Sequence, residues 1–164
     1  MSLADKLERL ARIVPGVAGY QDRERSRATD KAVRVKLGAE LDAIKRDLER
    51  DTRALAEAKD FALLPALDRL GGKLDKLRNT VEYAARGYRP VFDTWKLSQE
   101  RLERLYTFDL GLFEEIGALR GGAAKIHDAR GDRALLTKAI DEMDQALDRL
   151  ETTFSRRQNF LIEG

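Results

Sequence analysis

A chain of 164 residues with 43% hydrophobic and 37% charged side chains carries enough apolar material for one buried core, which excludes global disorder. The absence of cysteine excludes disulfides, thiolate metal sites and thiol catalysis. A formal net charge of +2, from 31 basic and 29 acidic side chains, argues against a dedicated polyanion binder.

The wealth of Ala, Leu, Glu, Asp, Arg and Lys, with only 3 prolines, points to long helices. Met1 to Val14 carries Asp5, Lys6, Glu8, Arg9 and Arg12 among its leucines, unlike a secretory leader. No apolar run approaches the roughly 20 residues needed to span a bilayer. The expectation is a cytoplasmic protein.

The first predicted helix covers Leu3 to Ile13. Ser2 can cap it, with Asp5 as the reciprocal acceptor. Leu3, Leu7, Leu10 and Val14 form one apolar stripe, and Pro15-Gly16 ends the helix. Its polar face is not strongly basic, so docking on its own bundle or on a second subunit is expected rather than membrane-surface contact through residues 3–14. A loop of residues 15–20 follows, and residues 21–164 are expected to form the bundle.

The second helix is predicted from Asp22 to Lys59. Leu37, Leu41, Ile44, Leu48 and Leu55 keep the 3–4 rhythm, with Asp51 or Thr52 at the missing step. Its first third is different: from Gln21 to Lys36 six basic side chains stand against three acidic ones, and the apolar signal is thin. Arg23, Arg27, Lys31 and Arg34 recur at helical spacing and are the candidate contacts for phosphates. This segment is expected to project past the bundle or to be covered by the first helix.

The third helix begins at Ala62 or Pro65 and runs to Arg86. Its stripe of Leu63, Leu67, Leu70, Leu74, Leu77, Val81 and Ala84 is unbroken. Gly71-Gly72 lies on the outer side of that stripe, where each glycine costs about 1 kcal/mol relative to alanine. A soft point or a close backbone approach is expected there.

Gly87 to Leu97 is predicted as a loop. The fourth helix starts near Asp93 or Ser98 and ends at Asp128, with Gly121-Gly122 as a potential break. Its stripe runs through Leu102, Leu105, Leu112, Ile116, Leu119, Ala123 and Ile126, and the position between Leu105 and Leu112 is Asp109. A carboxylate on that seam needs a partner, expected to be an arginine from a facing helix, and it is a candidate register-fixing residue. The fifth helix is predicted from Arg133 to Asn159, with Asp132 as cap and Leu136, Ile140, Met143, Leu147, Leu150 and Phe154 as its stripe.

Together these elements predict an all-α single domain: an antiparallel up-down bundle of four long helices with coiled-coil-like packing, preceded by a short amphipathic helix. Seven of the 11 aromatics fall between Tyr83 and Phe113, and Tyr88, Phe92 and Trp95 are candidate interaction aromatics. His127 is the single histidine. Neither a di-iron Glu-x-x-His pattern nor a usual zinc ligand set occurs, and there is no phosphate loop or dinucleotide fingerprint. No cofactor, metal or catalytic residue is therefore assigned. The expected function is that of a non-enzymatic interaction or scaffold protein, self-associating as a homo-oligomer or binding a protein partner. One alternative is a nucleic-acid-associated protein acting through the arginine-rich segment. Another is an enzyme or ligand binder using Asp109 and nearby aromatics.

Overall fold

The computed structural model describes residues 1–84 and 98–163. They form five helices: α1 (Leu3–Ile13), α2 (Arg23–Glu57), α3 (Leu64–Tyr83), α4 (Gln99–Asp128) and α5 (Arg133–Glu163). The architecture is a helical bundle of four long helices with one short helix at the front.

Each helix begins where local chemistry dictates. Ser2 and Asp5 form a capping box, with Asp5 N–H donating to Ser2 Oγ at 3.1 Å and Ser2 N–H donating to the Asp5 carboxylate at 3.0 Å. Asp22 caps α2 through the Arg25 N–H at 2.8 Å, and Ser98 caps α4 through the Arg101 N–H at 3.2 Å. Pro65 sits in the first turn of α3, where its missing N–H costs nothing. At the α2–α3 joint, Lys59 takes a left-handed φ of 59°. Gly121-Gly122 does not break α4, because Gly122 lies against Met143 of α5 and the helix continues to Asp128. α5 extends beyond Asn159 to Glu163 because Leu161 is buried and holds its last turn to the core.

Successive long helices reverse direction, but the packing order is not the chain order. α2 packs on α3 and on α4, while α5 packs on α4 and on α3. Ion pairs show the registers. Arg78 meets Asp42, and Lys45 meets Asp75 at 2.6 Å, an antiparallel pairing of α2 with α3. Lys125 meets Glu142 and Arg149 meets Glu115, so α4 and α5 are antiparallel. Arg120 reaches Glu40, and His127 reaches Asp51, which makes α2 and α4 parallel. Lys73 bridges Asp144 and Asp148 between the likewise parallel α3 and α5. α3 and α4 therefore occupy opposite corners of the bundle, and residues 85–97 connect them. The stripes read from sequence meet in this core, including Leu37, Leu41, Leu70, Leu74, Leu105, Leu112, Leu147 and Phe154.

α1 lies on α4 of its own chain, burying Leu10 and Val14 completely. The connecting segment after α1 covers the start of α2: Ala18 N–H donates to Thr29 Oγ1 at 3.2 Å, and Thr29 Oγ1 donates to the Gly19 carbonyl at 2.8 Å. Gly19 is held at a φ of 96°, a conformation that favours glycine. The thin apolar signal of residues 22–36 has its explanation here. Ser26, Thr29 and Asp30 are buried polar residues on the covered face, where the sequence pattern leads one to expect leucines.

The Glu40 contact between α2 and α4 also sets a pH dependence. Burial works against the charged Glu40 carboxyl, but hydrogen bonds and charge from Arg120 and Lys36 overcome it and hold the pKa below 4.5. A lowered carboxyl pKa contributes stability that is present above the unfolded value of 4.5 and lost as pH falls through the folded value. Glu40→Gln is expected to cost no more than about 1 kcal/mol at neutral pH. It should also flatten the acid side of the stability curve, as read from urea unfolding at stepped pH.

Candidate functional site

The strongest concentration of ionisable groups is at the end of the bundle where α2 and α4 begin and α5 finishes. Four side chains converge there from four places in the chain: Tyr20 before α2, Asp30 on α2, Asp109 on α4 and Arg157 on α5. None of them is more than 2% exposed. Arg157 Nε donates to Asp109 Oδ1 at 2.6 Å, and its Nη2 donates to the Tyr20 hydroxyl oxygen at 3.0 Å. The Tyr20 hydroxyl in turn donates to Asp109 Oδ2 at 2.5 Å. Arg157 Nη2 also stands 2.9 Å from Asp30 Oδ1. That contact is one of charge rather than an aligned hydrogen bond, because Asp30 Oδ1 has no hydrogen-bonding donor. Arg34 completes the balance by donating from Nε to Asp30 Oδ2 at 2.9 Å. Two carboxylates thus face two guanidinium groups.

Burial dominates the electrostatics. It pushes the Asp109 carboxyl above 3.8, against the pull of Arg157 and of the Tyr20 hydroxyl. It also raises the Tyr20 phenol well above 10.0, with the Asp109 charge adding to the effect. For Arg157 burial alone would favour proton loss, but the charges of Asp109 and Asp30 keep it protonated. Tyr106 covers the cluster, accepting the Tyr20 N–H at 3.1 Å with its ring 5.4 Å from that of Tyr20.

Both Asp109 oxygens have partners, and Asp109 is fully buried. The surface cavities near Gly71, near Val35 and between α4 and α5 are lined by other residues. In this arrangement Asp109 ties the segment before α2 to both helices of the second hairpin, as a polar residue that fixes register does. The sequence calls for an arginine opposite Asp109 without saying which. It gives no sign that Tyr20 and Asp30 join it, because a tyrosine in a short loop and an aspartate in an arginine-rich run look like surface residues.

The four basic candidates on α2 differ in exposure. Arg23, Arg27 and Lys31 are on its exposed side. Arg34 is turned inward onto Asp30, its side chain only 12% exposed. Of the aromatic candidates, Tyr88, Phe92 and Trp95 lie outside the described residues. The rings of Phe108 and Phe160 pack at a tilt of 43° with centroids 5.6 Å apart at the same end of the bundle, with the Arg101 and Arg104 guanidinium groups over the Phe160 ring.

On the outer side of the first hairpin, an open groove of about 660 Å³ runs between α2 and α3. Gly71-Gly72 forms its floor on α3, Ala56 and the edges of the buried Leu48 and Leu67 lie beside it, and Lys45, Glu49, Arg53, Asp68 and Asp75 rim it with charge. Among the described residues, nothing lies within 4 Å of a Cβ built at Gly71, Gly72 or Gly38. A second cavity of about 300 Å³ lies beside Val35, Gly38 and Ala39 on the same side of the hairpin. Val35 and Tyr83 are large apolar residues left exposed at that end.

Among the described residues no group of three or more His, Asp or Glu could hold a metal ion, and no helix is long and apolar enough to cross a membrane. No protein-family model, characterised protein or solved structure matches this chain.

Proposed function

We propose that this chain is a non-enzymatic interaction or scaffold protein that associates with itself, and that the outer groove between α2 and α3 is its contact face. The observation carrying this reading is Gly71-Gly72. Two glycines in the middle of a helix cost about 1 kcal/mol each relative to alanine. No described residue lies within 4 Å of a Cβ built at either position, so no packing among the described residues calls for a glycine there. A helix backbone stripped of side chains on its outer face allows another helix to approach closely.

The alternative, phosphate binding through the start of α2, has less support. Arg34 is committed to Asp30 and Arg25 to Asp22, which reduces the charge available on that segment. A titration with DNA and RNA at low salt, where phosphate contacts are strongest, separates the two. Saturable binding there would favour the alternative.

The glycine pair gives the direct test. Gly71→Ala and Gly72→Ala should each stabilise the fold by about 1 kcal/mol, raising Tm by roughly 2–4 °C. The same substitutions should weaken self-association in sedimentation velocity, because a methyl group blocks close backbone approach. A wild-type chain that remains monomeric at high concentration and retains no protein partner would overturn the proposal.

A further inference from the structure

The opposite end of the bundle holds a different arrangement, independent of the groove. Asp51 on α2 stands at the seam position between Leu48 and Leu55, and its side chain is 1% exposed. An apolar residue would pack there without penalty, yet the seam carries a carboxylate whose Oδ2 is buried with no hydrogen-bond partner. Its Oδ1 lies 2.8 Å from Nδ1 of His127, whose side chain is 43% exposed. Two guanidinium groups stand beside this pair. Arg50 Nη2 is 3.5 Å from the same ring nitrogen, and Arg130 donates from Nε to the His127 carbonyl at 3.1 Å. Both also lie within 4 Å of Asp51 Oδ1, at 3.6 and 3.7 Å.

An ionised carboxylate only accepts hydrogen bonds, and its 2.8 Å contact with Nδ1 is closer than the 3.5 Å contact of Arg50, so the geometry assigns the proton to the ring nitrogen facing Asp51. In the neutral imidazole the lone pair is then on Nε2, the nitrogen away from the buried carboxylate. A half-exposed imidazole in a fixed tautomer, backed by a buried negative charge, is an activated nucleophile, and guanidinium groups beside it suit an anionic electrophile.

We propose that His127 Nε2 accepts a phosphoryl group from a small high-energy phosphoryl donor, such as a phosphoramidate or an acyl phosphate. The Nε2 lone pair attacks phosphorus. The N–P bond forms as the bond from phosphorus to the donor's nitrogen or acyl oxygen breaks, and that electron pair leaves with ammonia or the carboxylate. Positive charge grows on the ring as the bond forms. Asp51 stabilises it through the Nδ1–H, while Arg50 and Arg130, on the Asp51 side of the ring, make the surface around it attractive to an anionic donor. Asp51 is a positioning residue: it touches the imidazole, not the donor.

His127 is the chain's single histidine, so the experiment has one site to read. The full-length protein is incubated with potassium phosphoramidate and followed by intact mass and ³¹P NMR. The expected result is one acid-labile phosphoryl group per chain, attached at Nε2, formed at least roughly tenfold faster than on N-acetylhistidine. In ¹⁵N spectra of the untreated protein, Nδ1 should be the protonated nitrogen. Asp51→Asn should slow transfer by roughly tenfold or more and release the tautomer, with helical circular dichroism confirming the fold. Arg50→Gln should slow reaction with phosphoramidate but not with the uncharged electrophile diethyl pyrocarbonate. A wild-type rate equal to that of N-acetylhistidine, or attachment at Nδ1, would overturn the proposal without reference to any variant. So would an unchanged rate in a folded Asp51→Asn protein.

Discussion

Replacing Arg157 with methionine should destabilise the protein by about 3–5 kcal/mol, a large share of the roughly 5–15 kcal/mol that holds a typical domain together. The side chain of methionine fills much of the same space, so the loss is electrostatic rather than one of volume. Asp109 and Asp30 would be left in the core with Arg34 as their remaining counter-charge, and Arg34 reaches only Asp30. The Tyr20 hydroxyl would also lose its donor. Urea unfolding at neutral pH measures the cost. Because Asp109 is already held above 3.8, its uncompensated charge should raise it further. A carboxyl whose folded pKa is raised is penalised as pH climbs past its unfolded value, so the variant should recover part of its stability as pH falls toward 4. The double variant Arg157→Met with Asp109→Leu removes both charges and should be more stable than Arg157→Met alone. If the single variant unfolds at the wild-type urea midpoint, the cluster does not hold this end of the bundle.

Leu10→Ala should cost about 2–5 kcal/mol, the range for emptying a fully buried leucine site. Leu10 is completely buried, and with Val14 it is what fastens an eleven-residue helix to α4. A helix that short is not stable alone in water. The loss should therefore appear first as local release. The amide protons of α1 should exchange much faster than in wild type, while those of α4 and α5 near Leu112 and Leu147 keep their protection. Equal protection of α1 in both proteins would show that Leu10 does not anchor it.

The parts of this fold that were legible in the sequence are those built from repeated leucines. Leu67 to Val81 and Leu136 to Phe154 are periodic over many turns, and burying one face of such a stripe leaves the chain little choice. The caps at Ser2 and Asp132 were visible for the same local reason. Packing order was not visible, because a stripe states that a face is buried but not against which neighbour. The parallel pairing of α2 with α4 becomes evident only from Glu40–Arg120 and Asp51–His127, contacts between residues 80 and 76 apart in the chain.

The candidate sites were harder still. Asp109 stood out as the wrong residue type on a regular seam, and it is buried there. Arg157 gave none, since an arginine near a helix end among other charged residues normally lies in solvent. His127 offered only its solitude. Its orientation by Asp51 depends on a register between two helices that propensity and periodicity do not specify. The polar burial of Ser26, Thr29 and Asp30 was concealed because their partners lie in an irregular segment, where no repeat announces what will be covered.

The Arg157 cluster also says something about the order of events in folding. Its hydrogen bonds join residues 137 and 48 positions apart in the chain, whereas each hairpin closes through a short turn. Contacts that enclose so much chain are entropically expensive to make early. The two hairpins can zip up from their turns first, and the tyrosine–aspartate–arginine junction then clicks into place once they have met and the front segment has folded over them. A junction formed after the rate-limiting step acts as a brake on opening rather than a guide to closing. Its removal would shorten the lifetime of the native protein while the time needed to reach it stays nearly the same.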